Sequence, residues 1–318
     1  MQPLQVTLFS DGRPGHEKQS LGIISALQAY VEVKVRKVEV PVRSIFKELG
    51  SHLSFLLNSR LPAAFPENQK ADLIIGTGSR THLPMLSAGR KSAARTVSCM
   101  TPALHLRAKF DLCCVPIHDQ VNPAENIFFT VGPPNMSHRS QAHDHTRSLV
   151  LIGGRDDSSH KWDEGRIVSD LALLIKHSEN TSWLISSSPR TPASTEERVA
   201  QELGGLPQVS FVPFSETGPG WVEEMYRTHG TAWITADSIS MVYEALSAGC
   251  RVGVIPVTWR RRNNKFQRSL DYLLDKKLII MLPPYLQGKT DWLDQEPLNE
   301  ADRCAREILR RWWPKSIP

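Results

Sequence analysis

Short runs of apolar, β-branched residues recur along the whole chain, each closed by a Gly- or Ser-bearing turn and followed by a stretch of helical periodicity. That alternation is the βαβ rhythm, and runs this apolar suit strands buried on both faces by crossover helices. In the first half the strands fall at residues 4–10, 31–40, 71–78, 95–100, 111–116 and 126–132, with helices near 16–30, 43–57 and 80–90. Residues 131–148 lack periodicity and are rich in Pro, Ser and His, as a connection between domains is. The rhythm then restarts at 149–154, 182–188, 209–214, 231–237, 251–257 and 278–282. A length of 318 residues accommodates two such units. The expectation is an α/β protein with two Rossmann-like parallel-sheet domains, 1–140 and 141–318, facing across a cleft, the last helix being free to pack back on the first domain. In such sheets ligands lie beyond the carboxyl ends of the strands, so the residues just after each strand carry the information.

Composition narrows the function classes. Hydrophobic residues at 40% and charged residues at 22% are those of a folded protein and exclude a disordered one. No apolar run reaches the roughly 18–20 residues that span a bilayer, and the N-terminus lacks the charged-then-apolar order of a signal peptide, so a cytoplasmic chain is expected. Cys99, Cys113, Cys114, Cys250 and Cys304 are odd in number and fall outside CxxC or Cys/His spacing, which points to buried free thiols rather than zinc. A net charge of +5 suits an acidic partner such as a nucleoside diphosphate, a phosphorylated lipid head group or nucleic acid, without choosing among them.

Two turns of the first half carry chemistry. After the first strand come Ser10, Asp11, Gly12, Arg13, Pro14, Gly15 and His16. The glycines allow a tight turn with free amides at a helix start, which suits an anion, and His16 at its mouth can take a proton from an acceptor alcohol at neutral pH. The same residues also fit a structural turn in which Asp11 caps amides. After the third strand, Gly76, Thr77, Gly78, Ser79, Arg80, Thr81 and His82 again clear a helix start, with Pro84 placed in the first turn, and Arg80 is a second anion or acceptor contact. Ser79 or Thr81 as an N-cap explains the same pattern.

The second half is richer. Gly153, Gly154 and Arg155 close its first strand before a polar loop, and the stretch resembles a phosphate-cradling turn with Arg155 and Lys161 as candidate diphosphate partners, though it lacks the GKS or GKT ending of a P-loop kinase. Ser186–Ser188 and Arg190 end the next strand at the same edge. Asp237 and Ser238 lead into a helix bearing Ser240, Met241 and Glu244, and a carboxylate there can accept both hydroxyls of a ribose; a solvated helix carboxylate is the alternative. The loop from Trp259 to Arg268 gathers arginines, a lysine and the amides Asn263, Asn264 and Gln267, fit to grip a donor sugar or diphosphate, or bases stacked on Trp259 and Phe266. A last helix, 301–316, sets four arginines against Trp312 and Trp313, which suits packing on the body or contact with an anionic membrane surface.

The stretches SDGRPGHEKQSLG, IGTGSRTHLP and TADSISMVYEALSAG together resemble the plant "elongated mitochondria" fission proteins and their bacterial relatives, with LIGG before HKWD and SSSPRTP as lesser marks. That resemblance spans residues 10–249 and implies a GT-B glycosyltransferase fold. A looser likeness is to the enzyme that adds N-acetylglucosamine to the lipid-linked peptidoglycan precursor, from which the chain departs in having Arg13 and Pro14 where small residues stand. By that likeness His16 deprotonates the acceptor, Gly153 and Gly154 face the donor phosphates, Glu244 binds the ribose and Asn264 and Gln267 contact the donor sugar; the turns themselves add Asp11 as catalytic beside His16 and Gly12, Arg13, Gly15, Gly78, Ser79 and Arg80 toward the acceptor. Gly153, Gly154, Arg155, Ser187, Arg190, Ser238, Met241, Glu244, Asn264 and Gln267 then bind the nucleotide-sugar donor. The implied activity is sugar transfer to a lipid-linked or lipopolysaccharide-core acceptor at the inner face of a bacterial membrane, with peripheral membrane contact and with neither metal nor cofactor. The rival expectation is a non-catalytic GT-B body that recruits partners at a membrane. Nucleic-acid binding finds no RNP, KH or helix-turn-helix pattern in its support.

Overall fold

The computed structural model describes residues 2–41, 70–140, 142–178, 180–261, 263–292 and 296–317; the helix expected at 43–57 and Arg262 of the cationic loop lie outside them. The chain divides into two compact units, Met1–Met136 with Asn299–Pro318, and Ser137–Leu298.

In the first unit β1 (Leu4–Ser10), β2 (Val33–Glu39), β3 (Leu73–Gly76), β4 (Arg95–Ser98), β5 (Leu112–Pro116) and β6 (Ile127–Thr130) form one sheet in the order β2-β1-β3-β4-β5-β6. Every neighbouring pair is parallel. Period-two alternation sorts the side chains to the two faces. Leu8, Ile75 and Cys114 join one core under α1 (Pro14–Gln28) and the C-terminal helix (Glu300–Trp312). Phe9, Ile74 and Cys113 join the other, under α2 (Ser79–Ser92) and α3 (Leu104–Arg107). Strands β3 and β5 are buried at every residue, whereas β2, the last strand on its side among the described residues, exposes Lys34–Lys37, a charged rim of the kind that discourages pairing with another chain.

Helix α1 starts two residues before its expected beginning because Pro14 sits at the first position, where its missing N–H has no helical partner to lose. Pro84 lies inside α2, one turn further in than expected, and removes a helical donor there. The C-terminal helix buries Ala301, Cys304, Ala305, Ile308 and Leu309, and Trp312 and Trp313 pack against the same core. The tryptophans expected as an option for a membrane surface are thus turned inward, while Arg306 and Arg310 pair with Asp302 and Glu307 of their own helix at 2.9 and 2.8 Å. No helix among the described residues is long and apolar enough to cross a membrane.

In the second unit the sheet runs β10 (Val209–Val212), β9 (Ser182–Ser186), β7 (Asp144–Leu151), β11 (His229–Thr235), β12 (Arg251–Ile255), β14 (Ile280–Met281), again all parallel. Helices α4 (Glu164–His177), α5 (Ala193–Glu202), α6 (Trp221–Thr228), α7 (Ile239–Ala248), α8 (Lys265–Asp275) and α9 (Leu282–Leu286) lie between and after its strands. This order is the dinucleotide-binding one, whose direction of winding reverses between β7 and β11; in the first sheet the reversal falls between β1 and β3. The polar loop after Arg155 and the cationic loop after Pro256 were expected to be irregular. Instead β8 (His160–Lys161) and β13 (Thr258–Trp259) pair antiparallel, and α8 begins at Lys265. Two-residue strands are too short to show a period, so no sequence pattern announces them.

Candidate functional site

Each reversal point holds a buried carboxylate. In the first unit Asp11, directly after β1, has its side chain 2% exposed, and its Oδ2 lies 2.9 Å from His16 Nδ1 in the first turn of α1. Asp11 Oδ1 accepts the Arg13 amide at 3.2 Å, which holds the turn closed around the carboxylate. A carboxylate on Nδ1 fixes the ring orientation and the tautomer in which Nε2 is the proton acceptor. Gly78 makes this pair possible from the β3 side. Its φ of 102° is one that L side chains rarely adopt, and a Cβ there would stand 2.6 Å from both Asp11 Oδ2 and His16 Nδ1. The support reaches further back: Ser10 Oγ donates to Glu17 at 2.8 Å and accepts the Gly12 amide at 3.2 Å. Lys37 on β2 pairs with Glu17 at 2.9 Å, and chiefly through that bond holds its carboxyl below the usual range.

Of the other expected acceptor residues, Arg13 is the N-cap of α1 and Gly15 follows Pro14 in its first turn, both exposed. Gly12 is exposed in the turn, Ser79 is exposed at the start of α2, and Arg80 next to it is half-buried. The fold therefore gathers Asp11, His16 and Gly78, with Gly12, Arg13, Gly15, Ser79 and Arg80 on the same two turns.

In the second unit Asp237, in the turn two residues past the end of β11, has its side chain 1% exposed and pairs with Arg190 Nη2 at 2.9 Å. Its Oδ2 also accepts the Gly154 amide at 3.0 Å and the Ser238 hydroxyl at 3.3 Å. The Gly153 amide donates to Thr235 Oγ1 at 2.7 Å. The amides expected to be free for a phosphate are thus already satisfied by side chains of β11 and the turn after it. The two glycines are required by packing: a Cβ on Gly153 would run into Asp237 and Ser238, and one on Gly154 into the Arg190 carbonyl. Asp237 Oδ1 is buried and has no hydrogen-bond partner among the described residues.

The remaining expected donor residues have local partners. Ser187 donates to Glu196 and accepts the Phe214 amide at 2.8 Å. Arg155 is exposed and pairs with Asp157 at 3.0 Å. Met241 and Glu244 lie half-buried on α7; the Met241 carbonyl accepts the Tyr226 hydroxyl at 3.2 Å. Burial, and after it the Glu244 charge, pushes the Tyr226 phenol well up. Asn264, the N-cap of α8, accepts the Gln267 amide at 2.9 Å, while Gln267 Oε1 accepts the amide of Asn263, just before the cap, at 2.9 Å. Trp259 and Phe266, offered as platforms for bases, stack on each other at 6.0 Å and 8°. All five cysteines are buried and free, and burial pushes the thiols of Cys113 and Cys250 up to about 12. The sequence reading named Asp237 without giving it a role. Its signal was an acid in the turn after an apolar strand, the position that also singled out Asp11.

No curated protein matches the sequence. Solved structures with a similar fold include S. aureus MnaA bound to UDP, at 12% identity over 99% of this chain and 98% of that one, with a TM-score of 0.52. A Listeria monocytogenes protein assigned as a UDP-N-acetylglucosamine 2-epimerase shares 13% identity over 98% of this chain and 97% of its own, with a TM-score of 0.55. The UDP-GlcNAc 2-epimerase of Methanocaldococcus jannaschii shares 11% over 97% and 100%, with a TM-score of 0.50. The fold is GT-B, two parallel-sheet Rossmann-like units in one chain. The family described as Mitochondrial fission ELM1 matches residues 14–312, a span that includes His16, Gly78, Gly154, Arg190 and Asp237, and the chain belongs to that family.

Proposed function

We propose that this protein is a glycosyltransferase that uses a nucleotide-sugar donor, with a cell-envelope glycan such as lipopolysaccharide core or another lipid-linked saccharide as acceptor. The observation that carries the reading is the Asp11–His16 pair at the carboxyl edge of the first sheet. His16 Nε2 takes the proton of an acceptor hydroxyl as its oxygen attacks the anomeric carbon. The bond from that carbon to the phosphate oxygen breaks, and the nucleoside diphosphate leaves with the electron pair. Asp11 stabilises the imidazolium so formed. The second unit supplies the donor contacts, with Glu244 accepting ribose hydroxyls. That a protein of this fold has been solved with UDP favours a uridine donor.

The test is release of UDP from UDP-N-acetylglucosamine, with and without a lipid-linked glycan extract, by the wild type and His16→Ala. Acceptor-dependent release that disappears in His16→Ala supports the reading, and no release from any common nucleotide-sugar sinks it. One observation favours the rival, a GT-B body retained for recruiting partners: Asp237 already occupies the Gly154 amide and the Arg190 guanidinium. Under that rival His16→Ala and Glu244→Ala both leave cellular function intact.

A further inference from the structure

Beside the switch-point cluster, where α4 and α5 begin, the second unit has a cavity of about 590 Å³ whose walls include Arg155, Lys161, Trp162, Ser194 and Arg260. Its carboxylates are already committed. Asp163 accepts the Arg166 amide at 3.0 Å as the N-cap of α4, and Glu164 accepts the Ser194 and Thr195 hydroxyls at 2.7 and 3.2 Å, so both negative charges lie against the positive start of α4. Asp157 is shared between Arg155 at 3.0 Å and Arg260 at 3.4 Å. Two guanidinium groups therefore lean on one carboxylate, and among the described residues no carboxylate pairs with Lys161. Arg155, Asp157 and Arg260 are all more than two-fifths exposed, so their ion pairs are of the weak, screened kind that an incoming anion rearranges at little cost.

We infer that this cavity, rather than the Gly153–Gly154 turn, receives the phosphoryl groups of the substrate; calling the ligand a substrate rests on the function proposed above. A phosphate presents oxygens in the geometry that a guanidinium fork matches, and Lys161 adds a point charge. The Gly154 amide and Arg190 already donate to the Asp237 carboxylate, which is buried and unscreened, whereas Asp157 in the cavity is 57% exposed and screened by water. The Arg155 amide donates to the Arg190 carbonyl at 3.0 Å, so the cavity adjoins the switch-point cluster without sharing its carboxylate. The Trp162 indole, tethered by its N–H to Thr195 Oγ1 at 3.0 Å, forms an apolar wall for the organic part of the ligand.

The experiment is titration calorimetry of the full chain with pyrophosphate at low ionic strength, on the wild type, Lys161→Gln, Arg260→Gln and, as a control for net charge, Lys176→Gln in the last turn of α4. Lys161→Gln and Arg260→Gln are each expected to weaken binding roughly tenfold, the usual loss for one charge-assisted contact, with Lys176→Gln unchanged. No binding by the wild type, undiminished binding by both cavity variants, or an equal loss in Lys176→Gln overturns the inference. Nucleotide-sugar turnover separates it from the proposed function. Pyrophosphate binding that follows Lys161 and Arg260 in a protein without turnover sinks only the function, and turnover indifferent to both variants sinks only the site.

Discussion

Asp11 and Asp237 stand on opposite sides of the reversals of their sheets, Asp11 after β1, the first strand of its unit, and Asp237 after β11, the strand across the reversal from β7, and each is almost fully buried. Asp11 holds an imidazole; Asp237 holds a guanidinium and a backbone amide. The same acid therefore stands beside both reversals with different partners. In the first unit the carboxylate orients an imidazole, and in the second it ties the Gly154 amide to the Arg190 side chain. The difference teaches that a carboxylate at a sheet's switch point is read by its partner, not by its position.

The largest effect that can break this contrast is on turnover. His16→Ala is expected to cost about 10²–10⁴-fold in nucleoside-diphosphate release with the melting temperature nearly unchanged. Arg190→Ala, by contrast, should lower stability as well as rate, and equal behaviour of the two variants in both assays would erase the distinction. Next in size is Gly78→Ala, which adds a Cβ at 2.6 Å from both members of the Asp11–His16 pair in a left-handed conformation. It is expected to destabilise by about 3 kcal/mol in denaturant unfolding, the sum of overpacking and backbone strain.

Asp237→Ala strips the acceptor from the Gly154 amide and from Arg190, whose side chain is 44% exposed and regains water. About 2 kcal/mol is expected in the same measurement, less than for a pair buried on both sides. Asn264→Ala removes a helix cap and is expected to cost about 1 kcal/mol. It should leave nucleotide affinity in calorimetry as it was; a tenfold loss of affinity would restore Asn264 to the donor site in place of its capping role.

The smallest effect is on pH dependence. Burial holds His143 and His229, both in the second unit, below the usual imidazole range. The unfolded chain therefore binds the extra protons first, so this stability is complete above the ordinary histidine pKa and is lost as pH falls through the folded values. Glu17 and Glu307 in the first unit are held below the usual carboxyl range, chiefly by Lys37 and Arg310, and their contribution is lost only in the more acidic window below the ordinary glutamate pKa. Thermal midpoints measured between pH 7.5 and 5.5 should fall, and fall less in His229→Gln; an undiminished fall in that variant would remove the histidine from the explanation.

The strands were legible because the information is local. An apolar run such as LQVTLFS or TAWITAD buries both faces wherever it lies, and the order of such runs and turns is enough to expect parallel sheets. The turn after β1 was legible for the same reason, since Asp11 and His16 are five residues apart and meet within one turn and a helix start. The local partners of Asn264 and Gln267 were not legible, because a polar run at a helix start has the composition of a binding loop and only the backbone shows which amides these side chains meet.

By itself, then, the sequence determined two βαβ units and placed the chemistry at the carboxyl ends of their strands, because periodicity and turn residues act over a few positions. Only the tertiary structure decided what each group touches. Asp237 reaches the Gly154 amide across 83 positions and Arg190 across 47, and Gly78 closes on Asp11 from a neighbouring strand. Such meetings depend on strand order and on the space a glycine leaves, and neither is written in any local run of residues.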